Sequence, residues 1–98
     1  MAKIVYAREA LEDFDRIIEH LLDTSPETAA ATLSRIRKAI EILAEHPLIG
    51  RRADDERREL VILRGASGCL ALYRVDSAYG VVRILRIRHQ REAGYREA

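Results

Sequence analysis

Apolar residues recur along this chain with two different periods, and the changes of period mark its elements. Lys3 to Tyr6 is short, β-branched and aromatic, which predicts a strand. A helical period follows. Leu11, Phe14, Ile18, Leu21 and Leu22 fall on one face, and Glu12, Asp13, Asp15, Arg16 and Glu19 lie largely on the other. The cluster Asp23-Thr24-Ser25-Pro26-Glu27 stops this helix and starts the next. Ser25 has the chemistry of an N-cap, and Pro26 suits a first helical position, where its missing N–H is not needed. The second helix carries the clearest pattern: Ala29, Leu33, Ile36, Ile40 and Leu43 form one stripe until His46-Pro47 ends it. Helices joined by so short a link pack antiparallel, which predicts a hairpin over residues 8–46 with both stripes in the core.

Leu48-Ile49-Gly50-Arg51-Arg52 and the charged run to Arg58 read as a loop. Three strands follow, at Leu60 to Arg64, Cys69 to Val75 and Val81 to His89. Gly65-Ala66-Ser67-Gly68 and Asp76 to Gly80 supply the turns between them, and turns this tight predict an antiparallel meander. Gln90 to Ala98 is a polar tail. The order β-α-α-β-β-β is an α+β arrangement. A helical hairpin covers one face of a small, mainly antiparallel sheet of three or four strands, which the N-terminal strand joins.

Length and composition narrow the class. The 98 residues fit one domain, with 48% hydrophobic and 34% charged residues, as in a folded soluble chain rather than a disordered one. No apolar run approaches the roughly 18 residues that span a bilayer, and Met-Ala-Lys-Ile-Val-Tyr is not a signal peptide, so a cytoplasmic location is expected. Cys69, alone and inside an apolar strand, reads as a small core residue. The net charge of +1 hides an asymmetry. Residues 1–56 hold eight Lys and Arg against twelve Asp and Glu, whereas residues 57–98 hold nine Arg against four Asp and Glu, so the two parts carry −4 and +5. A lysine-free basic half offers planar guanidinium forks to carboxylate or phosphate, or simply solvates a sheet face.

Catalytic motifs are sparse. His20, His46 and His89 are scattered without metal-ligand spacing, and neither a metal nor another cofactor is expected. There is no glycine-rich phosphate loop and no nucleophile elbow, and Glu41 with Glu45 reads as a solvated helix face. The richest segment is Arg86-Ile87-Arg88-His89-Gln90-Arg91-Glu92-Ala93-Gly94-Tyr95. Its His and Tyr have the chemistry of acid–base catalysts for RNA cleavage, with Arg to stabilise charge on phosphate. The same residue types are favoured interface anchors, and that reading is the stronger one on these residues alone.

The ordered set of Glu45-His46-Pro47-Leu48-Ile49-Gly50-Arg51 (an hPxxGR loop), Arg58-Glu59-Leu60-Val61, Leu72-Tyr73-Arg74-Val75 and Ile84-Leu85-Arg86-Ile87-Arg88-His89 behind two helices resembles the RelE/ParE toxin superfamily. The resemblance covers nearly the whole chain. It implies the toxin of a type II toxin–antitoxin system, in a family that includes plasmid-stabilisation proteins, with a cognate antitoxin as partner. RelE-like members cleave mRNA on the ribosome with cations on the central strands; ParE-like members poison DNA gyrase. Where the RelE pattern has an Arg two positions past the glycine opening the Tyr-x-Val strand, this chain has Leu70 after Gly68. Where RelE has strand lysines, it has Val61, Ile62 and Leu63. The resemblance therefore leans to the ParE-like branch, a protein-binding gyrase inhibitor with Arg86, Arg88, His89, Arg91 and Tyr95 as its target-binding set. The alternative is a ribosome-dependent endoribonuclease using His89, Arg91, Tyr95 and Arg64, with Arg74 and Arg83 as further stand-ins for the missing cations. A third reading, from another class, is a non-toxic binding module or decayed toxin whose arginines serve solubility.

Overall fold

The computed structural model describes residues 1–63 and 68–89. Strand β1 (Lys3–Tyr6) leads into helix α1 (Arg8–Thr24) and, through residues 25–28, into helix α2 (Ala29–Glu41), which tightens into a 3-10 turn at Ile42–Ala44. Strands β2 (Arg51–Arg52), β3 (Arg57–Leu63), β4 (Cys69–Asp76) and β5 (Val81–His89) complete a five-stranded sheet in the order β1-β5-β4-β3-β2. Every neighbouring pair is antiparallel except β1 with β5, which run parallel from Lys3–Val81 to Tyr6–Ile84. A parallel pair needs a crossover, and the helical hairpin lies in the chain between these two strands.

Three expectations are corrected. Ser25 does not cap the second helix. Its N–H closes the last turn of α1 on the Leu21 carbonyl at 2.8 Å, and residues 26–28 turn before α2 begins at Ala29 behind Thr28. The stretch read as one loop contains β2, a two-residue strand pairing Arg51 with Glu59 and Arg52 with Arg58, and β3 starts at Arg57 rather than Leu60. Strands made of arginine and glutamate carry no apolar alternation, so periodicity misses them. Between them, Asp54 accepts from the N–H groups of Glu56 and Arg57 and from the Arg57 guanidinium, which together hold its carboxyl down at about 2. Finally, Leu11 and Leu22 are exposed rather than part of the core face of α1.

The core lies between hairpin and sheet. Ala10, Ile36, Ile40 and Leu43 from the helical layer meet Ile62, Cys69, Ala71, Tyr73, Val82, Ile84 and Ile87 from the strands. The α2 stripe lands as its spacing predicts: Ala29, Ile36, Ile40 and Leu43 are buried and Leu33 is half-buried. Cys69 is buried and in no disulfide.

Tyr73, fully buried on β4, ties the hPxxGR loop to the sheet. Its hydroxyl donates to the Pro47 carbonyl at 2.8 Å and accepts from the Gly50 N–H at 2.9 Å. Arg58 donates to the carbonyls of Leu48 and Gly50 from the other side. Burial raises the Tyr73 phenol above its ordinary value, against weaker lowering by the Gly50 N–H and Arg58, so it stays a neutral hydrogen-bonding group. Gly50 is required for a steric reason. A Cβ there would sit 2.6 Å from the Tyr73 oxygen and 2.9 Å from the Glu59 carbonyl, and that backbone oxygen has little freedom to retreat. Gly50→Ala should therefore cost about 1–3 kcal/mol by overpacking. Tyr73→Phe should cost a similar amount, about 1–3 kcal/mol, by leaving the buried Gly50 N–H unpaired. Urea unfolding of both variants checks this; wild-type stability in either would contradict the account of the loop.

Candidate functional site

The C-terminal half of β5 carries Arg86, Arg88 and His89, and a bulge sets their direction. Pairing with β4 passes from Tyr73–Ile84 to Leu72–Arg86, so Leu85 is an extra residue on β5. The buried positions consequently step from Val82 and Ile84 to Ile87 instead of keeping a period of two. Beyond Ile84 the strand also loses its parallel neighbour, because β1 ends at Tyr6, and stays paired with β4 alone.

Helix α1 fills that gap with a carboxylate. Asp13 is fully buried, and its Oδ2 accepts from the Ile87 N–H at 2.8 Å and from Arg86 Nε at 2.8 Å. Its Oδ1 accepts from Arg86 Nη2 at 3.1 Å and from Arg16 Nη2 at 2.6 Å. Burial alone would push this carboxyl up. The bonds from Arg86, the Ile87 N–H and Arg16 outweigh it and hold the carboxyl below its ordinary value. The sequence reading put Asp13 on the solvated face of α1, and the structure reverses this. Asp13 shares the inward face with Ala10, Phe14, Ile17 and Leu21. A pattern that scores only apolar residues cannot register a buried charge; the available signal was a carboxylate in phase with Ala10, Ile17 and Leu21.

Arg86 is thus engaged inside the molecule, its side chain 17% exposed in a bidentate clasp with Asp13. Arg88 is half-buried, faces Leu70 across the β4–β5 ladder, and donates from Nη1 to the His89 carbonyl. The His89 ring stands edge-on to that of His20 on α1, with centroids 6.1 Å apart. Arg86, Arg88 and His89 therefore share one strand end. Arg64, Arg91 and Tyr95 lie outside the described residues. Leu70, at 4% exposure, sits between Val61 on β3 and Arg88 on β5, so two of the three residues in that row are hydrocarbon. Among the described residues no three His, Cys, Asp or Glu side chains gather as a metal site would need, and no helix is long and apolar enough to cross a membrane.

Residues 4–94 match the family model of the ParE toxin of the type II toxin–antitoxin system parDE. The chain belongs to this ParE toxin family. Among curated relatives, the ParE-family chain is 36% identical over 89 residues to toxin RelE2 of Caulobacter vibrioides, covering 91% of this chain and 96% of the relative. It is 34% identical over 92 residues to toxin RelE3 of the same species, covering 94% and 98%. Among solved structures it resembles a chain of the chromosomal ParDE system of P. aeruginosa, with a TM-score of 0.74, 26% identity and coverage of 91% and 96%. A chain of the E. coli RelBE toxin–antitoxin complex shares the fold at a TM-score of 0.63 and 18% identity, covering 94% and 100%. The two helices on a mixed sheet are the RelE/ParE architecture.

Within that architecture, loss of Asp13 should be severe. Asp13→Ala strands the Arg86 guanidinium and the Ile87 N–H together, and breaking one side of a buried pair costs about 3–5 kcal/mol. Because the folded carboxyl is held below its ordinary value of 3.8, its contribution is complete at pH values above that. It is lost as pH falls through the lowered folded value. Urea unfolding of wild type and Asp13→Ala from neutral to acidic pH should show a wide gap that closes only at the acidic end. A gap independent of pH would contradict this role.

Proposed function

We propose that this ParE-family chain is a growth-inhibiting toxin that acts by binding a protein target, DNA gyrase, and is neutralised by a cognate antitoxin. The observation that carries the gyrase reading is the row Val61–Leu70–Arg88. Hydrocarbon occupies two of its three positions, and an apolar side chain cannot neutralise the charge that builds on phosphate during RNA cleavage. The match to the ParE model supports the same branch. The binding surface is the β5 strand end: Arg88 and His89 present there, Arg86 clasped behind them, and Arg91 and Tyr95 next along the chain. Arg, Tyr and a partly enclosed strand end suit interface anchoring. The antitoxin reading is supported by the family and by solved relatives described as ParDE and RelBE systems.

The competing reading is ribosome-dependent mRNA cleavage, favoured by the RelE names of the two Caulobacter relatives and by His89 as a candidate acid or base. Two assays separate them. Purified toxin should inhibit supercoiling by gyrase and leave ribosome-bound mRNA intact. Alanine at Arg88 should weaken gyrase inhibition by about 2 kcal/mol in binding, a roughly 30-fold loss of potency. Site-specific cleavage of mRNA on the ribosome, abolished by His89→Ala, would overturn the gyrase reading and establish the nuclease. Induced expression that leaves growth unaffected would remove both in favour of a non-toxic binding module.

A further inference from the structure

The sheet register brings like charges together where nothing in the proposed target site requires them. Arg57 on β3 stands directly opposite Arg74 on β4, and Arg74 stands directly opposite Arg83 on β5. Directly opposed residues project from the same face, so three guanidiniums line up across three adjacent strands. Like charges in this relation destabilise a sheet unless something neutralises them.

Three other sheet arginines are matched to carboxylates of the chain itself, while Arg58 and Arg88 donate to backbone carbonyls. Arg51 pairs with Glu59 at 2.6 Å, Arg57 with Asp54 at 2.6 Å and Arg86 with Asp13 at 2.8 Å. Arg74 and Arg83 have no such partner among the described residues. Asp76, two residues along β4 from Arg74, bridges to neither. Arg74 is exposed, while Arg83 is half-buried with its Nε enclosed and without a hydrogen-bond partner. The contrast with Arg86 on the same strand is informative. There Nε and Nη2 together grip a carboxylate; in Arg83 the Nε has no hydrogen-bond partner. Two guanidiniums on neighbouring strands, about 5 Å apart at the backbone, offer parallel forks to a pair of carboxylates.

We propose that Arg74 and Arg83 form a carboxylate-binding site that receives an acidic segment of the antitoxin, with Arg57, already held by Asp54, closing the row. This rests on the toxin–antitoxin reading above and adds the contact that the antitoxin makes. Charge complementarity selects the occupant. Arg51, Arg57 and Arg86 already take carboxylates within the chain, and burial of a paired fork fixes register in a way that a solvated charge does not.

The test uses the full-length chain and the protein encoded by the adjoining reading frame, both purified, with affinity measured over a range of salt concentrations. Arg74→Gln/Arg83→Gln should weaken binding by about 30-fold or more and flatten its salt dependence. Arg74→Lys/Arg83→Lys, which keeps the charge and loses the fork, should fall between that variant and wild type. Arg51→Gln, whose partner is Glu59, should bind as wild type does. Thermal unfolding of the double glutamine variant should show a midpoint no lower than wild type, because a repulsion has been removed. Unchanged affinity and salt dependence in that variant would overturn the proposal, as would an equal loss in Arg51→Gln. Poly(U) RNA binding that is lost in the variant while antitoxin binding persists would assign the site to phosphate and overturn it too. Failure of the wild-type chain to bind the neighbouring protein at all would instead overturn the antitoxin reading, and the site with it.

Discussion

The structure turns on one buried carboxylate. Asp13 is the fully buried charged residue of α1, and it meets β5 where that strand has lost its parallel neighbour and gained an extra residue. An unpaired N–H inside a protein is costly, and so is an unpaired guanidinium. Asp13 satisfies both, accepting from the Ile87 N–H and holding Arg86 at two points, while Arg16 neutralises it from its own helix. The helix is thereby fixed to the strand at the site of the bulge. Arg88 and His89 follow immediately on the same strand, so their placement is set in part from the helical layer.

A second anchor, on the neighbouring strand β4, works with different chemistry. Tyr73 lies in the core, yet its hydroxyl reaches the backbone of the loop between α2 and β2 and is satisfied in both directions, as donor to Pro47 and acceptor from Gly50. The hPxxGR pattern and the Tyr of the following strand motif are therefore two halves of one contact. Glycine is needed at position 50 because the tyrosine oxygen and a strand carbonyl occupy the space a side chain would take. The two anchors divide the labour: one holds the loop that follows the hairpin, the other holds the hairpin's first helix to β5. Both spend polar groups in the interior and satisfy each of them, which fixes a unique arrangement where apolar contacts alone would tolerate sliding.

Much of this was legible in the sequence, and the remainder was not for identifiable reasons. The α2 stripe, β1, β5 and most of β4 followed from period and turn chemistry, because in each of them burial and hydrophobicity coincide. They part company in three places. On α1 they diverge at Leu11 and Leu22, which are exposed, and at Asp13, which is buried; a period scored on apolar character fails when the key inward residue is charged. Strand β2 consists of two arginines held by backbone pairing and by Glu59, with no apolar pattern to reveal it. The clasp between Asp13 and Arg86 joins residues 73 apart in the chain, and no local pattern predicts which of many carboxylates a given arginine will find. For the same reason the arginine-rich character of β5 was apparent at once, whereas the division between an internally engaged Arg86 and an unengaged Arg83 needed the register.

The claim that α1 completes the end of β5 through Asp13 can be read from a single proton. Ile87 pairs with β4 on one side but has no strand on the β1 side, to which its N–H points, so its amide is shielded only if Asp13 accepts from it. Amide hydrogen exchange followed by NMR in wild type and Asp13→Ala, at matched pH, measures this directly. The account predicts an Ile87 amide protected to nearly the degree of Ile84 in wild type, with protection lost at Ile87 and retained at Ile84 in the variant. An Ile87 amide that exchanges as fast as a frayed strand end in wild type, or one indifferent to the substitution, would contradict it.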